Sequence, residues 1–206
     1  MELLIKIALI IHIATGFTAL LTGIIALLAK KGQKAHRIFG LIFFYCMLSV
    51  AVSAIFISVL KDNLFLLLIG IFSLYQNLSG YRAIKNKSLK PAFIDWIILL
   101  IGAVNSFFMI YSLNTILIVF GSINCFMVFN DIRIYRKTLK GFEVPKNQWL
   151  IKHLGMMIGT YIATFTAFLV VNIHNFEPNW VIWLLPTFIG TPLIAYWRRK
   201  LTTKKI

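Results

Sequence analysis

The sequence predicts an all-α fold, a polytopic membrane helix bundle of seven transmembrane helices with the N-terminus outside and the C-terminus cytoplasmic. Three observations predict it. Seven apolar runs of about twenty residues can be drawn, each long enough at 1.5 Å per residue to cross an apolar layer of roughly 30 Å. Composition agrees, with 60% hydrophobic and 13% charged residues and a mean hydropathy of +0.86, well outside the range of a soluble domain. Finally, all but Lys6 and Lys61 of the 21 Lys and Arg residues fall on one side of the membrane once the runs are read as spans. A soluble core would not alternate in this way, and the positive side is the cytoplasmic one.

The 206 residues leave room for one transmembrane domain. The first span covers about residues 4–29 and ends at Lys30 and Lys31. It is too long for a signal-peptide core and lacks a small-x-small cleavage site, so it is retained as a span. The second covers about 38–60, the third 64–82 and the fourth 92–111. Pro91 precedes the fourth, where its missing N–H costs nothing, and Asp95 in the first turn faces the positive end of the helix dipole. The fifth covers about 114–135, the sixth 149–173 and the seventh 180–197. Pro186 and Pro192 inside the seventh predict a kink. Trp180 and Trp183 fall at the outer interface, and Trp96, Trp149 and Trp197 near the inner one, as an aromatic belt requires. The connections around Lys61–Asn63, Ser112–Asn114 and Asn172–Asn179 are nearly neutral.

A net charge of +15 would suggest nucleic acid as partner in a soluble protein. Here the basic residues lie in short loops and at span ends, so the partners are the lipid bilayer and anionic lipid at the cytoplasmic face, with no nucleic acid. Localisation in a membrane, with the basic loops facing the cytoplasm, follows. Cys46 and Cys125 lie inside apolar runs without CxxC spacing, which argues against disulfides and a thiolate zinc site.

The topology sorts four histidines into two pairs. His36 and His153 lie at the inner ends of spans two and six. His12 and His174 lie toward the outside on spans one and six. An ionisable residue inside a span is costly and points to function, although His12 could also sit neutral, hydrogen-bonded to a neighbouring helix. His36, in the basic stretch Lys34–Arg37, reads as a solvated loop residue unless it binds something. On span six, steps of three and four from His153 give Met157, Thr160, Thr164, Ala167, Val171 and His174. On span one, His12, Gly16, Ala19, Gly23 and Ala26 form a second small-residue stripe. Such stripes are helix-packing faces. Alternatively, a flat ligand such as haem b lies against Gly16 and Gly23 with a histidine as axial ligand. Two haems are disfavoured, because His153 and His174 are roughly 31 Å apart along a helix and both centres would sit at membrane edges.

A second polar group gathers near the inner leaflet: Arg37, Gln76, Asn77, Asn130 and Asp131. Asp131 could orient His153 or pair with Arg37, Arg82 or Arg133, either for chemistry or to fix helix register. No HExxH, GxSxG, Walker A or GxGxxG stands in a usable context. Four histidines divided between two membrane faces do not suit a zinc hydrolase. No carboxylate lies deep enough for a proton or cation path, and no paired broken spans suggest a transporter.

Two stretches carry a family resemblance: HIATGFTALLTGIIALLAKKGQKAHRIFG at 12–40, and KHLGMMIGTYIATFTAFLVVN at 152–172 followed by WLLPTFIGTPLI at 183–194. The chain resembles a family of bacterial multi-pass membrane proteins catalogued as a domain of unknown function. The likeness runs over nearly the whole chain, with the His36–Arg37 pair after a Lys-Gly turn as its more specific part. It implies an integral membrane protein and no particular reaction. The expected function is a haem- or small-ligand-binding bundle. A non-catalytic membrane partner subunit or regulator and a small-molecule carrier are the alternatives.

Overall fold

The computed structural model describes residues 1–173 and 176–203. Among these residues there are seven α-helices and no strand, and every helix is long and apolar enough to cross a membrane. They are α1 (Glu2–Leu28), α2 (Lys34–Leu60), α3 (Leu64–Lys85), α4 (Phe93–Tyr111), α5 (Thr115–Leu139), α6 (Gln148–Asn172) and α7 (Trp180–Thr203). Several outrun the apolar stretches that identify them. Residues 34–37 extend α2 at its start and residues 83–85 extend α3 at its end. Lys and Arg are good helix formers, and adding residues to an existing helix is easy. Hydropathy therefore marks the apolar layer rather than the last hydrogen-bonded residue.

Local chemistry fixes the ends. Asn63 Oδ1 accepts from the Leu66 N–H at 3.0 Å, and Asn114 Oδ1 accepts from Ile116 and Leu117 at 3.0 and 3.2 Å, capping α3 and α5. At the end of α5, Gly141 takes a positive φ of 74°. Its N–H bonds the Thr138 carbonyl at 3.3 Å while Phe142 N–H bonds Lys137 at 3.0 Å. This is a Schellman closure, and the left-handed residue it needs is glycine. The α1–α2 turn uses Gly32 at φ 78° in the same spirit. α7 continues through Pro186 and Pro192.

α1 packs on α2, α2 on α3, α3 on α4 and α4 on α5, while α6 packs on α7 and also touches α1. The central contact is α3 against α6. Half of the α3 span is buried, against 6% of the α1 span, and this explains why α3 is weakly apolar in sequence: its polar side chains face protein. Polarity is inverted relative to a soluble protein. Ile10, Leu21, Leu100, Phe107 and Phe126 are exposed, whereas Gln76, Asn77, Asn124 and Asp131 are buried. Three apolar clusters fill the interior. Tyr75, Ile98, Val128, Tyr135 and Met156 join α3, α4, α5 and α6 near the basic end. Phe72, Met109, Phe120 and Leu184 join α3, α4, α5 and α7 toward the other end. Ala19, Phe43 and Met47, with Met157 and Tyr161 beside them, hold the α1–α2 hairpin to α6.

Candidate functional site at the basic end of the bundle

α1 ends at Leu28, so its last carbonyls lack helical partners. The Lys31 ammonium turns back and donates to the Ala26 carbonyl at 3.1 Å and to the Leu27 carbonyl. The turn at Gly32 then starts α2, whose first turn carries His36. His36 Nδ1 donates to the same Ala26 carbonyl at 2.9 Å. The ring is half-buried, not a solvated loop residue, because α2 begins before it and the α1 carbonyl fixes it.

His153 approaches from α6. Its Nδ1 donates to the Gly80 carbonyl of α3 at 3.0 Å. The two imidazoles meet with ring centres 6.5 Å apart and planes at 87°. In each ring Nδ1 is committed to a backbone carbonyl, which fixes the tautomer and leaves Nε2 as the lone-pair nitrogen. Among the described residues no hydrogen bond engages either Nε2. This is how protein orients imidazoles that bind a metal. Among the described residues no group of three or more His, Cys, Asp or Glu could hold an ion. The pair thus carries two lone-pair nitrogens and no third protein ligand beside them among the described residues.

Close backbone approach between α3 and α6 makes the geometry reachable. A Cβ on Gly80 would lie 2.7 Å from Met157 Sδ and 3.0 Å from Met156 Cβ, and one on Gly159 would lie 2.1 Å from Gln76 Oε1. These two glycines let the helices touch. Gly23 does the same for the hairpin, since its Cβ would lie 2.5 Å from Tyr161 and 3.0 Å from Phe43. Its face is filled by aromatic side chains and does not offer a surface for a flat ligand. Gly16 is looser, with Val50 at 3.9 Å as nearest neighbour.

On the other side of α6 lies a second polar system. Lys152 is 6% exposed and its ammonium meets Asp131 Oδ2 at 2.9 Å. It also donates to the Tyr135 hydroxyl at 3.1 Å, and Tyr75 donates its phenolic proton to Asp131 Oδ2 at 3.0 Å. Asp131 thus pairs with Lys152, and not with Arg37, Arg82, Arg133 or His153. Arg82 is engaged by Asp95, through two bonds of 2.8 and 2.9 Å, while Arg37 and Arg133 are exposed. Asp95 Oδ2 also accepts from the Ala92 N–H at 2.9 Å, closing the start of α4.

The remaining sequence candidates separate. His12 Nδ1 lies 3.0 Å from Ser53 Oγ, whose own proton goes to the Ser49 carbonyl at 2.7 Å, so the imidazole donates and ties α1 to α2. His174 lies outside the described residues. Asn77 donates to the Phe44 carbonyl at 3.0 Å, Gln76 packs on Gly159, and Asn130 is half-buried. The sequence had paired His36 with His153 by depth, but had counted Lys152 among loop charges and passed over Gly80 and Gly159. A signal for these was present: Ser73, Asn77 and Gly80 follow helical spacing on α3, which is the mark of a close-packed face.

Residues 9–99 match the model of a family described as "Predicted membrane protein (DUF2306)". The match runs from α1 into the first two turns of α4, taking in His12, His36, Gln76 and Asn77 and stopping before Asp131 and His153. It is narrower than the whole-chain likeness expected from the sequence. No curated protein and no solved structure matches the chain.

Proposed function

We propose that this multi-pass membrane protein binds a haem iron through His36 and His153, with the basic end in the cytoplasm of a bacterial cell and the N-terminus outside. The orientation is supported by the distribution of Lys and Arg. One observation carries the ligand: two imidazoles fixed by backbone carbonyls, with ring centres 6.5 Å apart. Two rings bound head-on from opposite sides of one ion, with metal–nitrogen bonds of about 2.0–2.1 Å, place their centres roughly 6–6.5 Å apart. A haem brings four equatorial nitrogens, so two protein ligands suffice, and the group would supply one-electron chemistry. Lys34 and Arg37 flank His36 in sequence and would offset the acid groups of such a ligand. The packed face of Gly23 speaks against a porphyrin there, which supports the His36–His153 pair and its cationic border as the binding residues.

The test is an absorption spectrum with metal analysis on protein purified in mild detergent after haem-replete expression. A Soret band with about one iron per chain is expected, lost in both His36→Ala and His153→Ala and retained in His12→Ala. A metal without a Soret band refutes haem and identifies a bare ion on the same two nitrogens. Neither metal nor band refutes the ligand site altogether. In that case a non-catalytic partner subunit is the better account, favoured by the tight glycine contacts at Gly23, Gly80 and Gly159, which serve packing alone.

A further inference from the structure

Several cations at the basic end are committed to the protein. Lys31 caps α1 carbonyls, Arg82 and Lys152 hold carboxylates, and Lys85 and Lys87 lie over the rings of Tyr81 and Trp149 at 5.4 and 4.9 Å. The end of α5 differs. Arg133, Arg136, Lys137 and Lys140 are exposed, and among the described residues none forms an ion pair. Their spacing, with Phe129 and Ile132 one turn earlier, puts all six on one helix face. Together with Phe142 and Glu143 they line a cavity of ≈ 590 Å³.

The cavity is graded along the helix. Phe129 and Ile132 lie toward the apolar layer, and the four cations begin beyond them, so Phe129 and Arg136 are about 10 Å apart in height. The Schellman closure at Gly141 fixes the chain reversal that carries Phe142 to the cavity wall. The single acid, Glu143, leaves the lining with a net charge of +3, from four cations and one anion. A free anion would be served by the cations alone. An amphiphile uses both halves, its chain against Phe129, Ile132 and Phe142 and its phosphate among the Arg and Lys side chains.

We infer that this cavity is a binding site for the headgroup of an anionic phospholipid, independent of any ligand at the histidine pair. The experiment titrates full-length protein in detergent with phosphatidylglycerol, phosphatidylcholine of the same chain length, or inorganic phosphate, and reads bound lipid by native mass spectrometry. Phosphatidylglycerol should bind at least tenfold more tightly than phosphatidylcholine. Arg133→Ala/Arg136→Ala/Lys137→Ala should weaken it on the order of 100-fold, each cation near the surface contributing several-fold. A control with equal charge loss, Lys30→Ala/Lys34→Ala/Lys90→Ala, should change it by no more than about threefold. Phe142→Ser, which keeps every cation, should weaken it several-fold. Equal loss in both triple variants would reduce the effect to diffuse charge and overturn the site. Competition by millimolar inorganic phosphate, or an unchanged affinity in Phe142→Ser, would overturn the assignment to a lipid.

Discussion

Replacing Lys152 with Met removes the cation that faces Asp131 and leaves a carboxylate that is 1% exposed. Water cannot reach it, and breaking a buried ion pair by deleting one partner costs about 3–5 kcal/mol. The Tyr75 hydroxyl remains at 3.0 Å, and a hydrogen bond to a charged group contributes about 1.5–3 kcal/mol. Lys152→Met should therefore fall near 3 kcal/mol, at the lower end of that range. Asp131→Asn should cost about 4 kcal/mol or more, because it leaves a buried ammonium without its counter-charge, beside the neutral Tyr135 hydroxyl at 3.1 Å. In the double variant both charges are gone, and Tyr75 still finds an acceptor in the amide. Its cost should lie at least about 2 kcal/mol below the sum of the single costs. Reversible unfolding in mixed micelles, followed by far-ultraviolet circular dichroism, measures all four corners of this cycle. An additive double variant, or single variants costing under about 1 kcal/mol, would refute a pair held in a dry interior.

Three other outcomes follow from the packing and the charge distribution. Gly159→Ala places a Cβ 2.1 Å from Gln76 Oε1 and should destabilise by about 1–3 kcal/mol; Gln76→Ala in the same chain should recover most of that loss in the same unfolding assay. Gly16→Ala, with its nearest neighbour at 3.9 Å, should lie within about 0.5 kcal/mol of the parent. A fluorescent reporter fused after residue 206 should report the cytoplasm, and a phosphatase reporter placed in the loop at residues 61–63 should be active outside; the reverse pattern would overturn the orientation.

Span number was legible because lipid imposes length and apolarity on every crossing, and the basic residues made the loops stand out. Helix ends were not legible, because a helix continues beyond the apolar layer for as long as its residues tolerate it; Lys34, His36 and Arg37 therefore sit on α2. The pairing of His36 with His153 was accessible from depth alone. Rotation about the helix axis was not: Lys152 and His153 are neighbours in sequence and about 100° apart around α6, so one meets Asp131 and the other meets Gly80. Depth is written in hydropathy and charge, whereas azimuth depends on which neighbour a helix touches. Likewise Gly16 and Gly23 share a stripe with equal claims in sequence, and only the positions of Tyr161 and Phe43 separate a packed glycine from a loose one.

The two polar systems divided by α6 have different physical roles. Asp131 and Lys152 neutralise one another, and with Tyr75 and Tyr135 they join α3, α5 and α6 in the best-buried part of the bundle. A charge pair sealed in this way gives register to helices that apolar contact alone would let slide. His36 and His153 instead bridge the α1–α2 hairpin to the α3–α6 seam. Around them the hairpin is fastened by the small cluster of Ala19, Phe43 and Met47, with Met157 and Tyr161 of α6, and by the Asn77 amide of α3, which donates to the Phe44 carbonyl. A ligand gripped by both rings would draw α2 against α6, and its binding free energy would add to the docking of the hairpin by mass action. Chemistry that responds to a ligand belongs at such a joint, where each imidazole commits only Nδ1 to the backbone, and not at the Asp131–Lys152 pair, where each charge already has its counter-charge.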